Sequence, residues 1–232
     1  MTSHFPHTLI PLPHATDGLC CAAFTVNFIQ ENTYLLWDST GEAVIVDCGA
    51  FLDEERQGIA NFIEQKGLRP VHLLNTHGHF DHIFGNAYMA ERFSLAPEMC
   101  RAEVTTYESA CQQMTMFLHR ELPLEIPAPG RLLDEGDTVR FGTHTLSVIH
   151  TPGHTPGGIC FYCATDGLLL SGDSLFRREI GRCDLPGGDE FALIDSLRRK
   201  VMPLPPDVIV LPGHGPSTTV GEEATENHYA HL

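Results

Sequence analysis

Thr76-His77-Gly78-His79-Phe80-Asp81-His82 decides how this chain is read. Four potential metal ligands fall within six residues, three imidazoles and one carboxylate. That is the N/O donor set of first-row metal ions. The preceding run, Val71-His72-Leu73-Leu74-Asn75, reads as a short buried strand. Ile83 to Phe93 reads as a helix, with Ile83, Ala87, Ala90 and Phe93 at helical spacing. The cluster is therefore expected on a loop at a strand end, where an α/β fold keeps its chemistry. From such a loop His77 and His79 can turn to one point, and Asp81 and His82 to a second. One ion rarely takes four ligands from so short a turn, so the spacing suggests two adjacent metals. A solvated His/Asp run is the bland alternative, but it leaves the apolar strand in front unexplained.

Three more strand ends carry ligand-type residues. Thr145 to Ile149 leads into Thr151-Pro152-Gly153-His154-Thr155-Pro156-Gly157-Gly158. Leu168-Leu169-Leu170-Ser171-Gly172 ends at Asp173, and Val208-Ile209-Val210-Leu211 ends in Pro212-Gly213-His214-Gly215. A lone His is usually structural. Repetition of the pattern at strand ends points to one shared site.

Ala22 to Ile29, Thr33 to Trp37 and Ala43 to Val46 read as consecutive strands, with turns at Gln30-Glu31-Asn32 and Asp38-Ser39-Thr40-Gly41. Asp47 closes the third. It is either turn chemistry or a carboxylate that orients a metal-bound His. Asp53 to Gly67 reads as a helix with Ile59, Phe62 and Ile63 inward. Ala102 to Arg120 is expected to be helical, within a segment, Glu98 to Pro129, that is either a lid or a plain connection. Glu190 to Val201 reads as a helix capped by Asp189. Residues 1–21, with Pro6, Pro11 and Pro13, read as an N-terminal extension before a single domain over 22–232.

The chain has 232 residues, enough for one sizeable core, and 42% are hydrophobic. Its 30 acidic side chains against 14 Lys and Arg give a net charge of −16, which disfavours nucleic acid and anionic membranes as partners. The first residues lack a signal peptide's basic start and unbroken apolar core. No stretch is long enough to span a bilayer. The expected location is the cytoplasm. Cys160 and Cys163 have CxxC spacing, but on a strand they point to opposite faces, so ordinary thiols are expected.

His77-x-His79-x-Asp81-His82, with His154 in TPGHT, Asp173 in SGD and His214 in PGHG, resembles the metallo-β-lactamase superfamily. The resemblance runs from about Phe24 to Glu226. It implies a four-layer αββα sandwich of two mixed β-sheets flanked by helices, with metals at one edge. By position, His77, His79 and His154 would bind a first ion, Asp81, His82 and His214 a second, and Asp173 would bridge them. Zn is the expected metal, with Fe or Mn accepted by the same donors. Gly181-Arg182-Cys183-Asp184-Leu185-Pro186-Gly187-Gly188-Asp189 and Gly213 to Glu223 resemble segments of short glyoxalase II-like enzymes, which are hydroxyacylglutathione hydrolases. That implies hydrolysis of S-D-lactoylglutathione or a related acyl-thioester. Asp81 and Asp173 would then be catalytic, and a water shared by the two ions would be the nucleophile. Arg182, Cys183 and Asp184 are the expected substrate contacts, since the longer relatives' basic helical domain has no counterpart in this sequence. The Arg182 fork suits a substrate carboxylate.

Three other classes compete. A persulfide dioxygenase resembles the same scaffold but holds one iron, here by His77, His154 and Asp173. A β-lactamase usually has Cys where Asp173 stands. A metal-binding scaffold without turnover would need no such complete ligand set.

Overall fold

The computed structural model describes residues 5–121 and 123–231; residues 1–4 of the N-terminal extension, Leu122 of the 98–129 segment and Leu232 of the domain lie outside that description. The first sheet has seven strands in sequence order. They are β1 (Thr8–Leu9), β2 (Cys20–Val26), β3 (Glu31–Trp37), β4 (Glu42–Val46), β5 (Arg69–Leu74), β6 (Pro97–Cys100) and β7 (Leu132–Leu133). β4 through β7 run parallel, and β1 through β4 antiparallel. The second sheet uses β8 (Thr138–Phe141), β9 (His144–His150), β10 (Ile159–Cys163) and β11 (Leu168–Gly172). After a small hairpin of β12 (Leu175–Phe176) and β13 (Glu179–Ile180), it adds β14 (Ile209–Pro212) and β15 (Thr218–Thr219), in the order β15-β14-β11-β10-β9-β8.

Alternation along the strands makes the layers. On β3, Tyr34 and Leu36 face the second sheet, whereas Leu35 and Trp37 face helix α1 (Asp53–Gln65). Every residue of β3 is buried, as a strand covered on both faces must be. The inter-sheet core joins Val44, Val46 and Leu74 to Val148, Phe161, Leu170 and Leu211. Truncating a ring such as Phe161 to Ala would cost about 3–5 kcal/mol. Outside the second sheet, Leu169 and Val210 pack on Leu193, Ile194 and Val201. Helix, sheet, sheet, helix is the expected four-layer order. Cys160 sits in that outer layer and Cys163 between the sheets, both as free thiols. Among the described residues, no helix is long and apolar enough to cross a membrane.

Several local expectations change. Residues 5–21 are not apart from the sheet: β1 pairs with β2, β2 starts at Cys20, and Leu19 belongs to the core. The β2–β3 turn occupies Asn27 to Gln30, both with positive φ, because Glu31 and Asn32 are drawn into β3. Asn32 there donates Nδ2–H to the carbonyls of Pro212 and Gly215. The helix after the ligand run is two pieces, α2 (Phe80–Ile83) and α3 (Asn86–Phe93). Gly85 between them lies so close to Cys48 that an added Cβ would come within 2.5 Å of its Sγ. The 102–120 helix is divided into a 3-10 turn (Arg101–Glu103), α4 (Val104–Glu108) and α5 (Ala110–Leu118). Asp189 caps α6 (Glu190–Ser196) by accepting from Ala192 N–H at 3.0 Å, and a π turn, Leu197–Val201, continues it. The last helix is α7 (Val220–Glu226).

Candidate metal centre

Strand direction gathers the ligands. β9, β11 and β14 all point the same way, β9 and β11 each lying antiparallel to β10 and β14 parallel to β11. Their C-terminal ends therefore share one edge. β5 of the other sheet ends at the same place, since Ile159 N–H donates to Thr76 O at 2.9 Å just where β10 starts. His77 and His79 follow β5 as expected. Asp81 and His82 lie within the single turn of α2 rather than on a loop.

Seven side chains converge. His79 Nδ1 is 2.9 Å from His154 Nε2, and the two rings are perpendicular beside that of His77. His82 Nε2 is 3.2 Å from His214 Nε2, and Asp81 Oδ2 is 3.2 Å from His214 Nε2. Asp173 stands between the groups, with Oδ2 3.5 Å from His154 Nε2 and Oδ1 3.4 Å from His82 Nε2. Donors bound tetrahedrally at about 2.0–2.1 Å lie about 3.3 Å from one another. The observed separations straddle that value.

The unbound atoms make the same point. His77 Nε2 and Asp173 Oδ1 are buried without a hydrogen-bond partner. Orphaned polar atoms of this kind are costly unless something satisfies them. The outer ring nitrogens, by contrast, are engaged. His154 Nδ1–H donates to the Arg182 carbonyl at 2.7 Å, and His82 Nδ1 is 3.2 Å from Asp47 Oδ2. Each leaves its Nε2 facing inward, the arrangement that aims a metal-binding imidazole. The residues present thus fit divalent ions.

Charge follows burial. Desolvation, with His82 close by, holds His77 well below the ordinary histidine range. Burial and the neighbouring His154 take His79 down to about 3. Both rings are neutral, as ligands must be. Burial opposes ionisation of Asp173, yet the imidazoles of His82, His214 and His77 together outweigh it and hold that carboxyl well below the usual range.

The expected substrate contacts sit differently. The Arg182 fork is occupied: Nε and Nη2 donate to the two Asp184 oxygens at 2.7 and 2.8 Å, on the exposed surface. Cys183 is half-buried, its thiol donating to Gly181 O. Of this trio, the Arg182 backbone carbonyl is what touches the ligand set.

On the inner side of α2, Tyr107, Ala110 and Met114 from α4 and α5 pack against Phe80, Ile83 and Phe84. The 98–129 segment therefore walls the ligand helix, and Phe117 reaches within 5.5 Å of the Phe80 ring while staying exposed. Two functional-type residues carried no signal in the sequence. Glu31 is fully buried 3.9 Å from His82 Nδ1, and Glu103 is fully buried behind Gly78.

Two mixed sheets with a His/Asp cluster on their shared edge define a class, the metal-centred α/β sandwich proteins. The chain belongs to the Metallo-beta-lactamase superfamily, whose profile matches residues 26–214. It is 34% identical to the hydroxyacylglutathione hydrolase GloC of Haemophilus influenzae over 207 residues, 88% of this chain and 94% of that protein. Among solved structures it is similar to the BLEG-1 B3 metallo-beta-lactamase, with TM-score 0.82, 36% identity and coverage of 90% of this chain and 98% of that one. It is also similar to TTHA1623 in a di-iron-bound form, with TM-score 0.78, 39% identity and coverage of 89% and 98%.

Proposed function

We propose that this chain is a glyoxalase II-like thioester hydrolase, acting on S-D-lactoylglutathione or a related acyl-thioester. His77, His79 and His154 would hold one divalent ion, and Asp81, His82 and His214 a second, with Asp173 serving both. Such ions, most simply zinc, supply Lewis-acid polarisation of a carbonyl and a water acidic enough to ionise near neutrality. The chain's own part is to fix the donors. The Arg182 carbonyl and the Asp47 carboxylate hold His154 and His82 in the tautomers that leave Nε2 inward. Asp81 and Asp173 would offset half of the positive charge of two dications. A thiolate leaves readily, so a strong general acid is less necessary than in amide hydrolysis. Eight free cysteines suit a reducing, cytoplasmic setting.

The observation that carries the reading is the position of Asp173, within 3.4–3.8 Å of His82, His154 and His214. A carboxylate shared between two donor sets is what a pair of ions needs. The relative named as a hydroxyacylglutathione hydrolase supports the thioester substrate. The di-iron form of TTHA1623 supports two ions and keeps iron open. A one-iron dioxygenase would leave Asp81, His82 and His214 idle, although they stand together.

The test is metal analysis after mild purification, paired with a substrate panel. The panel holds S-D-lactoylglutathione, an uncharged thioester, a β-lactam, and glutathione persulfide with an oxygen electrode. More than one metal per chain with thioester turnover is expected. One iron with oxygen uptake, or β-lactam turnover without thioester turnover, overturns the reading.

A further inference from the structure

Glu103 lies in the 3-10 turn after β6, in a segment that contributes nothing to the ligand set, and it is fully buried. Its two carboxylate oxygens face different ligand loops. Oε1 accepts from Gly78 N–H at 2.8 Å, and Gly78 separates His77 from His79. Oε2 accepts from Gly157 N–H at 2.7 Å and from Thr155 Oγ1–H at 2.9 Å, both just beyond His154. The first loop leaves β5 in one sheet, and the second leaves β9 in the other.

Packing gives the same convergence independently of the hydrogen bonds. A Cβ on Gly78 would lie 2.5 Å from Tyr107 N, and a Cβ on Gly157 would lie 2.3 Å from Glu103 N. Both loops are pressed backbone to backbone against residues 103–107. Across the gap they define, His79 Nδ1 and His154 Nε2 stand 2.9 Å apart. A buried carboxylate is an expensive strut unless its acceptors are all used. Here both oxygens meet backbone N–H groups, which can only donate.

We infer that Glu103 is a positioning residue that sets the separation of the His77/His79 loop from the His154 loop, and so the affinity of the three-histidine metal position specifically. The hydrogen bonds of Glu103 go to residues 78, 155 and 157 and to none of Asp81, His82 and His214, the second position. Asp81 and His82 ride on α2, and His214 is anchored by Asn32, whose N–H donates to Gly213 O at 2.7 Å and whose Nδ2–H reaches Pro212 and Gly215. The backbone bond from Ile159 to Thr76 remains in any Glu103 variant, so the loops would loosen rather than separate.

The inference rests on the two-metal reading, and the experiment separates the two. Glu103→Gln keeps the shape but has one acceptor oxygen, and its NH2 must face an N–H on one side. Metal-free parent and variant are titrated with Co2+, following the absorption bands against a competing chelator, and both are checked by circular dichroism and thermal melting. The parent is expected to take two equivalents. The variant is expected to bind one as tightly as the parent and the other about 10–100-fold more weakly, the usual effect of losing a residue that orients ligands. Thr155→Val, which removes one donor and leaves the backbone, should show the same selectivity more mildly and serves if the Gln variant does not fold. Glu103→Asp, too short to reach both loops, should resemble Gln. Equal weakening of both ions, or of neither, overturns the positioning role. A parent that binds no second ion overturns the two-metal reading instead.

Discussion

Asp47 Oδ2 stands 3.2 Å from His82 Nδ1 and 2.6 Å from Thr76 Oγ1, while its Oδ1 accepts from Thr76 N–H at 2.7 Å. One carboxylate at the end of β4 therefore fixes both the start of the ligand run and its last histidine. Its backbone is left-handed, φ 51°, a conformation Asp and Asn tolerate better than most residues. Asp47→Asn keeps that backbone but not the charge, and either Thr76 or His82 loses its acceptor. Metal affinity should fall about 10–100-fold, with the fold intact by circular dichroism. Asp47→Ala should in addition lower the melting temperature of the metal-free protein. Unchanged affinity in Asp47→Asn would mean that His82 is oriented by its packing alone.

Asp173→Ala should abolish thioester hydrolysis. The side chain faces His82, His154 and His214, so it lies against both donor groups. Its loss should cost more than that of a terminal ligand such as His214. Comparing turnover of the two alanine variants, each loaded with metal and checked for folding, decides this. Near-normal rates in Asp173→Ala with full metal content would sink the shared-ligand assignment.

Chelation should destabilise the folded chain as well as silence it. Ions bound by the folded state alone stabilise by about 2.7 kcal/mol at a hundredfold excess over Kd. For a chain of this length each kcal/mol shifts Tm by about 2–4 °C. Removing metal should therefore lower Tm by several degrees, recovered on re-addition. A melt that ignores chelator while activity is lost would place the ions outside the buried cluster.

At the other end of β11, Asp166 accepts from Thr16 N–H and Oγ1–H, from His144 Nδ1 and from the Cys163 thiol. His144, Cys163 and Asp166 also have metal-ligand spacing, but both oxygens of the carboxylate are already engaged. Burial opposes its ionisation, yet the Cys163 and Thr16 hydrogen bonds outweigh it and lower its pKa. A depressed folded pKa means stability that is present above the unfolded value, 3.8, and lost as pH falls through the folded one. Asp166→Asn should cost about 1.5–3 kcal/mol near neutrality, lowering Tm by roughly 3–12 °C. It should flatten the acid side of the stability profile while metal content stays at the parent value. An unaltered acid limb would show that Asp166 is not a source of the pH dependence.

Two kinds of signal were legible beforehand. Short apolar strands ending at ligand-type residues, His77 after β5, Asp173 after β11 and His214 after β14, gave the ligand edge, whereas the four layers were implied by the resemblance to the superfamily. What escaped depends on distant partners. Glu31 and Asn32 look like turn residues because their polarity is plain, whereas the carbonyls that bury Asn32 belong to Pro212 and Gly215. Glu103 sits in a segment without clear periodicity, and its three donors come from residues 78, 155 and 157. Gly85 breaks the 83–93 helix because Cys48 stands behind it, a contact that no local pattern records.

Arg182 gives the sharpest test of substrate recognition. Its isolated fork would suit a glutathione carboxylate, and a charge-assisted hydrogen bond of that kind is worth about 1.5–3 kcal/mol. In the folded chain the fork is already held by Asp184. An exposed ion pair is worth little, so a substrate carboxylate can displace Asp184 at small cost. The competition predicts opposite effects for the two partners. Arg182→Ala should raise KM for S-D-lactoylglutathione several-fold and leave kcat nearly unchanged, since His154 is held by the Arg182 backbone carbonyl and not by its side chain. Asp184→Ala should free the fork and lower KM for the same substrate. With Asp184 absent, the further change Arg182→Ala should cost more than it does in the parent, and an uncharged thioester should respond to none of the three variants. Should Asp184→Ala instead raise KM for both substrates alike, the pair braces the loop that carries the His154 acceptor, and recognition of the carboxylate lies elsewhere.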